Sequence, residues 1–212
     1  DRDWSSDVCS SDLTMTISHT LAIVATLLAL PKATVQASDS TPRKPSIVVI
    51  LADDLGYGDV QCYNKDRGKI PTPNIDRLAT QGMRFTDGHS SSGVCSPSRY
   101  TLLTGRYHWR TRLQSGIVSL FGSPLIAPDR MTIGSLAKQQ GYRTACIGKW
   151  HIDGHGRSNY IPPERRQGFD YWKVLECTHA YNKSPYYAGD SNQKLFWEGY
   201  DAAAQTRDAE RY

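Results

Sequence analysis

Cys95 stands in a run of small residues that reads Gly93, Val94, Cys95, Ser96, Pro97, Ser98, Arg99. Pro97 suits the first turn of a helix that would carry Leu102 and Leu103 and stop at Gly105. A sulfur at that helix N-terminus meets unpaired backbone N–H groups and a partial positive charge, a place for a nucleophile, an oxyanion or a bound anion. A buried structural cysteine is the other use of such a residue. Asp53 and Asp54 follow an apolar run. Adjacent carboxylates repel unless a cation or hydrogen bonds neutralise them, and two hard oxygen donors side by side suit Ca²⁺ or Mg²⁺. With Gly56 and Gly58 close behind, they would serve equally well to cap a turn. Lys149 and His151 add a compact positive charge and an imidazole that titrates near neutral pH. Their alternatives are a solvated lysine and a satisfied histidine at a strand end.

The surrounding pattern is what must bring these residues together. Ile47–Leu51 is a continuous aliphatic run, the signature of a strand covered on both faces, and Asp53 and Asp54 fall past its carboxyl end. Thr72 and Pro73 open a helix bearing Ile75, Leu78 and Ala79 that stops at Gly82, and residues 83–86 resemble a short strand. The order then repeats: Thr132 caps a helix with Ile133, Leu136 and Ala137, Gly141 ends it, and residues 142–147 read as a strand. Strand, helix, strand in alternation predicts an α/β fold with a mixed, largely parallel sheet flanked by helices. Ligands of such sheets bind beyond the carboxyl ends of the strands, so Asp53, Asp54, Lys149 and His151 are expected on one rim. Residues 153–167 read as loop. The tract from Cys177 to Tyr187, with His179, Asn182 and several tyrosines, reads as a surface loop or as a binder of sugar rings, with His179 a candidate substrate contact. The last residues suggest a helix.

Cys95 to Arg99 with the Leu-Leu-Thr-Gly tail resembles the signature of the type I sulfatases. The block from Gly141 to His151, ending Gly-Lys-Trp-His, resembles that family's second signature, and Ala52, Asp53, Asp54 makes a third match in the same order. Gly168, Phe169, Asp170 resembles a further core element. The resemblance implies an alkaline-phosphatase-like fold and hydrolysis of aryl or carbohydrate sulfate esters. It also implies that Cys95 is oxidised after translation to formylglycine, by a formylglycine-generating or sulfatase-maturing enzyme that reads the Pro and Arg. One hydroxyl of the hydrated aldehyde would attack sulfur and the other would expel sulfate, splitting one hard displacement into two steps. Arg99 would hold the diol, Lys149 a sulfonyl oxygen, and His151 would orient or deprotonate a hydroxyl. Asp53, Asp54 and the converted Cys95 would bind Ca²⁺, ahead of Mg²⁺. Family members are about twice this length and carry a further histidine, an acidic metal pair and a second lysine in a C-terminal part missing here. The 212 residues alone are therefore expected to be an inactive N-terminal fragment. A phosphonate or phosphate ester hydrolase of the same superfamily, and a non-catalytic binder of sulfated glycans, are the competing readings.

The composition, 39% hydrophobic and 22% charged over 212 residues, is that of a globular domain with its own core. A formal charge of +4 with scattered basic residues points to neither nucleic acid nor a membrane surface as partner. Residues 1–14 read as translated sequencing-adapter DNA with Met15 as the true start, and residues 15–37 as a signal peptide around an apolar run too short to span a bilayer. Residues 38–45 read as linker and 46–212 as the catalytic domain, which places the protein in the periplasm or outside the cell. Of the five cysteines, Cys9 falls in the adapter segment. Cys62, Cys146 and Cys177 cannot all pair internally, and Cys146 is expected to be a small hydrophobe within its strand.

Overall fold

A computed structural model describes residues 44–119, 121–154 and 158–212. The expected adapter segment, signal peptide and most of the linker lie outside the described residues. Ile50–Tyr212 forms one compact unit, and the described residues Lys44–Val49, which form neither helix nor strand, belong to a separate N-terminal one.

Four helices and a four-stranded sheet make up the larger unit among the described residues. Thr72 precedes α1 (Pro73–Gln81), where proline stands at the first helical position and needs no amide partner. The Thr72 hydroxyl donates to Asp76 and accepts from the Gln61 amide, so the helix start is tied to the preceding loop. Helix α2 (Cys95–Thr104) begins at Cys95 itself, two residues earlier than the proline suggested, and ends at Gly105 in the left-handed conformation with φ 63°. Helix α3 (Ile133–Gln139) is capped by Thr132, whose side chain accepts from the Ser135 amide while the Ser135 hydroxyl serves the Thr132 amide. Helix α4 (Asp201–Arg211) closes the described chain. No helix among the described residues is long and apolar enough to cross a membrane.

The strands run β1 (Ala145–Lys149), β2 (Tyr171–Leu175), β3 (Pro185–Ala188) and β4 (Leu195–Phe196), in that spatial order. β1 and β2 are parallel, with Lys149 opposite Leu175, and the remaining pairings are antiparallel. The sheet is therefore mixed, with helices alongside. Alternation along β2 sends Trp172 and Val174 into a core with Tyr100, Val118, Trp150 and Ile152, and Leu175 into a second cluster with Trp197 and Ala204 of α4. Trp150 meets Trp172 edge-on at 5.3 Å between ring centroids. Gly168 lets the chain pass α3: at φ 93° a Cβ would lie 2.5 Å from Ser135.

Four expected elements differ. Ile47–Leu51 and residues 83–86 form no strand, and Ile50 and Met83 are largely exposed. An extended run becomes a strand only when a neighbour takes its backbone hydrogen bonds, and among the described residues neither run has one. The strand expected at 142–147 runs instead over Ala145–Lys149, because β2 pairs with those residues. Part of the tract read as loop, Pro185–Ala188, is a strand that pairs with β2.

Candidate active site

Although the strand before them does not form, Asp53 and Asp54 meet Cys95. One ligand atom from each of the three lies within 4.8 Å of the others. Asp54 adopts φ 57°, a left-handed backbone that asparagine and aspartate tolerate better than most residues. Cys95 enters from the first turn of α2, and Lys149 from the carboxyl end of β1. Lys149 Nζ lies 2.6 Å from Asp53 Oδ2 and 3.3 Å from Cys95 Sγ. Arg99, one turn along α2, brings a guanidinium nitrogen to 3.6 Å from Asp53 Oδ1 and donates to the Lys149 carbonyl, joining α2 to β1. Two cations thus converge on one carboxylate next to the cysteine.

The electrostatics follow from that arrangement. Burial works against the charged form of Asp53, but its bonds to Lys149 and Arg99 outweigh it and hold the carboxyl below the usual carboxylate range. Burial works against the charged form of Lys149, but its hydrogen bonds to Asp53 and Cys95 outweigh it and raise its pKa. His151 is 3% exposed, and burial together with the charges of Lys149 and Arg99 pushes it down to about 4. It is therefore neutral at pH 7, a proton acceptor. The ring bonds to the Val118 backbone, and its Nδ1 has no hydrogen-bond partner among the described residues.

Several supporting residues are absent from the sequence reading. Ser96, fully buried, accepts the Val118 amide on its hydroxyl at 3.0 Å, so Val118 ties the start of α2 to His151. Glu176 sits fully buried at the carboxyl end of β2. Burial and the neighbouring Asp153 carboxylate raise it to about 7, against the opposing pull of backbone amides. An acidic residue directly after the Tyr171–Leu175 run falls on the expected rim, and that signal would have singled it out. Cys177 is half-buried, raised by burial, and within the field of Lys149, Cys95 and Asp53. His179 is exposed, and among the described residues no hydrogen bond or ion pair ties it to the cluster. Cys146 packs against the core with its thiol pushed up to about 12, which keeps it protonated and inert. A cavity of about 660 Å³ beside α1, lined by Cys62, Asp76 and Arg84 among others, shares no residue with the cluster.

Glu176 and His151 make opposite contributions to stability with pH. A carboxyl held above its unfolded value binds its proton more tightly when folded, so the stability from Glu176 is complete below pH 4.5 and is lost as pH rises through about 7. His151 is held below its unfolded value, so its contribution is complete above pH 6.5 and is lost as pH falls through about 4. Each shift is on the order of 3 kcal/mol, and the two oppose each other across this window. Glu176→Gln removes one of them. Denaturant unfolding of the full-length variant at a series of pH values is expected to show stability rising more steeply from pH 4 to 6.5 than in the unsubstituted protein.

Asp53 and Asp54 offer hard oxygen donors of the kind that hold a divalent cation, and their ligand atoms and Cys95 Sγ lie within 4.8 Å of one another, a separation that ligands of one ion can have. The sulfur itself is a soft donor, so position 95 suits a hard cation only once it carries oxygen.

The family model Sulfatase matches residues 45–211. The chain is 43% identical over 186 residues to the ulvan-active sulfatase of Formosa agariphila, covering 84% of this chain and 33% of that protein. It is 40% identical over 142 residues to the N-acetylgalactosamine-6-O-sulfatase of Bacteroides thetaiotaomicron, covering 64% and 27%. Among solved structures it is similar to Ps i-CgsB in complex with k-i-k-neocarrahexaose, with a TM-score of 0.61 and 27% identity over 75% of this chain and 39% of that one. The chain spans about a third of the length of the curated relatives it matches.

Proposed function

Since the chain belongs to the sulfatase family and has its alkaline-phosphatase-like fold, we propose that the whole protein hydrolyses sulfate esters of carbohydrates. The observation that carries this reading is the meeting of Asp53, Asp54, Cys95 and Lys149 at one point, with Arg99 on Asp53 and His151 within the field of Lys149, Arg99 and Asp53. Cys95 is converted to formylglycine by a maturing enzyme, and its hydrated form supplies the oxygen nucleophile at the start of α2. Asp53, Asp54 and the side chain at 95 hold a divalent cation, Ca²⁺ by family resemblance. When bound, that cation neutralises charge on the sulfate oxygens. Lys149 lies close enough to position 95 to donate to a sulfonyl oxygen of a substrate seated there. Arg99 keeps the Lys149 backbone and Asp53 in register with α2. His151, neutral at pH 7, takes the proton from the second hydroxyl of the diol, whose C–O bond becomes the aldehyde C=O as the C–O bond to the sulfate breaks and sulfate leaves.

A carbohydrate substrate is supported by the relatives, whose names specify ulvan and N-acetylgalactosamine-6-O-sulfate. Exposed His179 and Tyr181, on the loop leaving β2, supply groups suited to sugar hydroxyls and ring faces. Export to the periplasm or beyond accords with polysaccharide substrates.

Paired assays of the full-length protein test the reaction. Turnover of 4-nitrophenyl sulfate is expected to exceed that of 4-nitrophenyl phosphate by at least about a hundredfold, with inorganic sulfate released from a sulfated polysaccharide such as ulvan. Mass analysis of the tryptic peptide spanning position 95 is expected to show an aldehyde or its hydrate. Faster phosphate turnover would favour a phosphoesterase, and an intact thiol without turnover would favour a glycan binder.

A further inference from the structure

We infer that Glu176 is a positioning residue for the reaction proposed above: its buried carboxylate clamps the backbone turn that presents His151 to the side chain at position 95. The inference rests on that functional reading but comes from a separate part of the structure.

The chain leaves β1 at Lys149 and turns sharply over the next five residues. His151 adopts φ 54° and Gly154 φ 54°. For histidine this is an uncommon conformation, which persists only where the surroundings over-determine it. Here they do so from two sides. On one side, Glu176 Oε1 accepts the amides of Asp153 at 2.9 Å and Gly154 at 2.7 Å, both buried. On the other, Gly154 lies so close to Val118 that a Cβ would meet its Cγ1 at 2.5 Å. The Ile152 carbonyl accepts the Leu125 amide at 2.9 Å. Val118 is also the residue whose amide bonds Ser96 and whose backbone bonds His151. The turn is thus held between a carboxylate at the end of β2 and the loop that locates the first turn of α2. Glu176 is itself fixed, since its own amide bonds the Asn159 carbonyl at 3.1 Å and Leu175 is paired with Lys149 across the sheet. Burying a carboxyl beside a second one, Asp153, is unfavourable. A fold that wanted only packing here would do better with an apolar residue, whereas a turn needing an acceptor for two inward-facing amides has a use for Glu.

Full-length variants compared with 4-nitrophenyl sulfate test this. Glu176→Ala is expected to lower kcat about a hundredfold, the effect of displacing a catalytic group by about 1 Å, with KM within about threefold because the groups that hold the sulfate are untouched. Glu176→Gln keeps an oxygen acceptor and is expected to retain kcat within about threefold. Glu176→Asp keeps the charge but is one methylene too short, and is expected to lose about tenfold or more. A purely structural role would lower the melting temperature without this split or the rescue by glutamine. A folded Glu176→Ala enzyme with unchanged kcat would overturn the inference. If that variant does not fold, unchanged kcat in Glu176→Asp would overturn it, as would a Gln variant no better than Asp. Should the parent protein fail to hydrolyse any sulfate ester, the functional reading falls. Amide hydrogen exchange at Asp153 and Gly154, slow in the parent and fast in a folded Glu176→Ala, then still decides whether the clamp exists.

Discussion

Cys95→Ala is expected to reduce kcat/KM of the full-length enzyme by about 10⁴-fold or more, because the nucleophile is gone while the binding groups remain. Cys95→Ser is the more informative variant. A serine hydroxyl at the start of α2 keeps an oxygen beside Lys149 and the aspartates, so it can attack sulfur and release the alcohol once. The resulting serine sulfate has no second hydroxyl on the same carbon to expel the sulfate, and the cycle stops there. With 4-nitrophenyl sulfate the prediction is a burst approaching one nitrophenol per active site, followed by turnover near background. Intact-mass analysis should find one added sulfate group on the protein. Sustained turnover by Cys95→Ser, at more than about a hundredth of the parent rate, would be incompatible with a geminal diol as the working nucleophile.

Replacing Asp53 should have the second largest effect. Its carboxylate is at once a member of the three-atom cluster with Asp54 and Cys95 and the partner of two cations, Lys149 at 2.6 Å and Arg99 at 3.6 Å. Asp53→Ala removes a proposed cation ligand and leaves Lys149 and Arg99 facing each other with the neutralising charge gone. The raised pKa of Lys149 depends first on its bond to Asp53, so burial would push it down in the variant. A loss of about 10³-fold or more in kcat/KM is expected, corresponding to several kcal/mol of lost charge stabilisation. Asp53→Asn, which keeps the shape and loses the charge, should be nearly as impaired. The melting temperature separates the two contributions: added Ca²⁺ should raise it in the parent and leave it unchanged in Asp53→Ala, since a ligand stabilises only the state that binds it. Equal shifts in both proteins would place the cation elsewhere.

The site was more legible in the sequence than the sheet was. Cys95, Arg99, Lys149 and His151 were singled out by their resemblance to two sulfatase signatures, and the structure brings Cys95, Arg99 and Lys149 together around Asp53. The helix that starts at Cys95 and the one capped by Thr132 announce themselves through local signals. The runs at Ile47–Leu51 and 83–86 have the composition of strands, but strand formation is a property of pairs of segments, and no partner is found among the described residues. The shift of β1 to Ala145–Lys149 has the same origin, since its register is dictated by Tyr171–Leu175 some 26 residues on. Val118 and Ser96 were illegible for another reason: their contribution is a single hydrogen bond between an amide and a hydroxyl 22 positions apart, and no periodicity encodes such a contact. His179, read as a candidate substrate contact, lies exposed on the loop after β2, a position that its residue type alone does not reveal.

The burial of the first turn of α2 bears on the order of events during biogenesis. Pro97 is fully buried, and Arg99, its side chain only 12% exposed, is engaged with Asp53 and the Lys149 carbonyl. An enzyme that selects its cysteine by reading those two residues has no access to them once the chain has folded. The proposed conversion at position 95 would therefore have to take place on the nascent or unfolded polypeptide, and a molecule that folds first would be locked out of maturation for as long as it stays native.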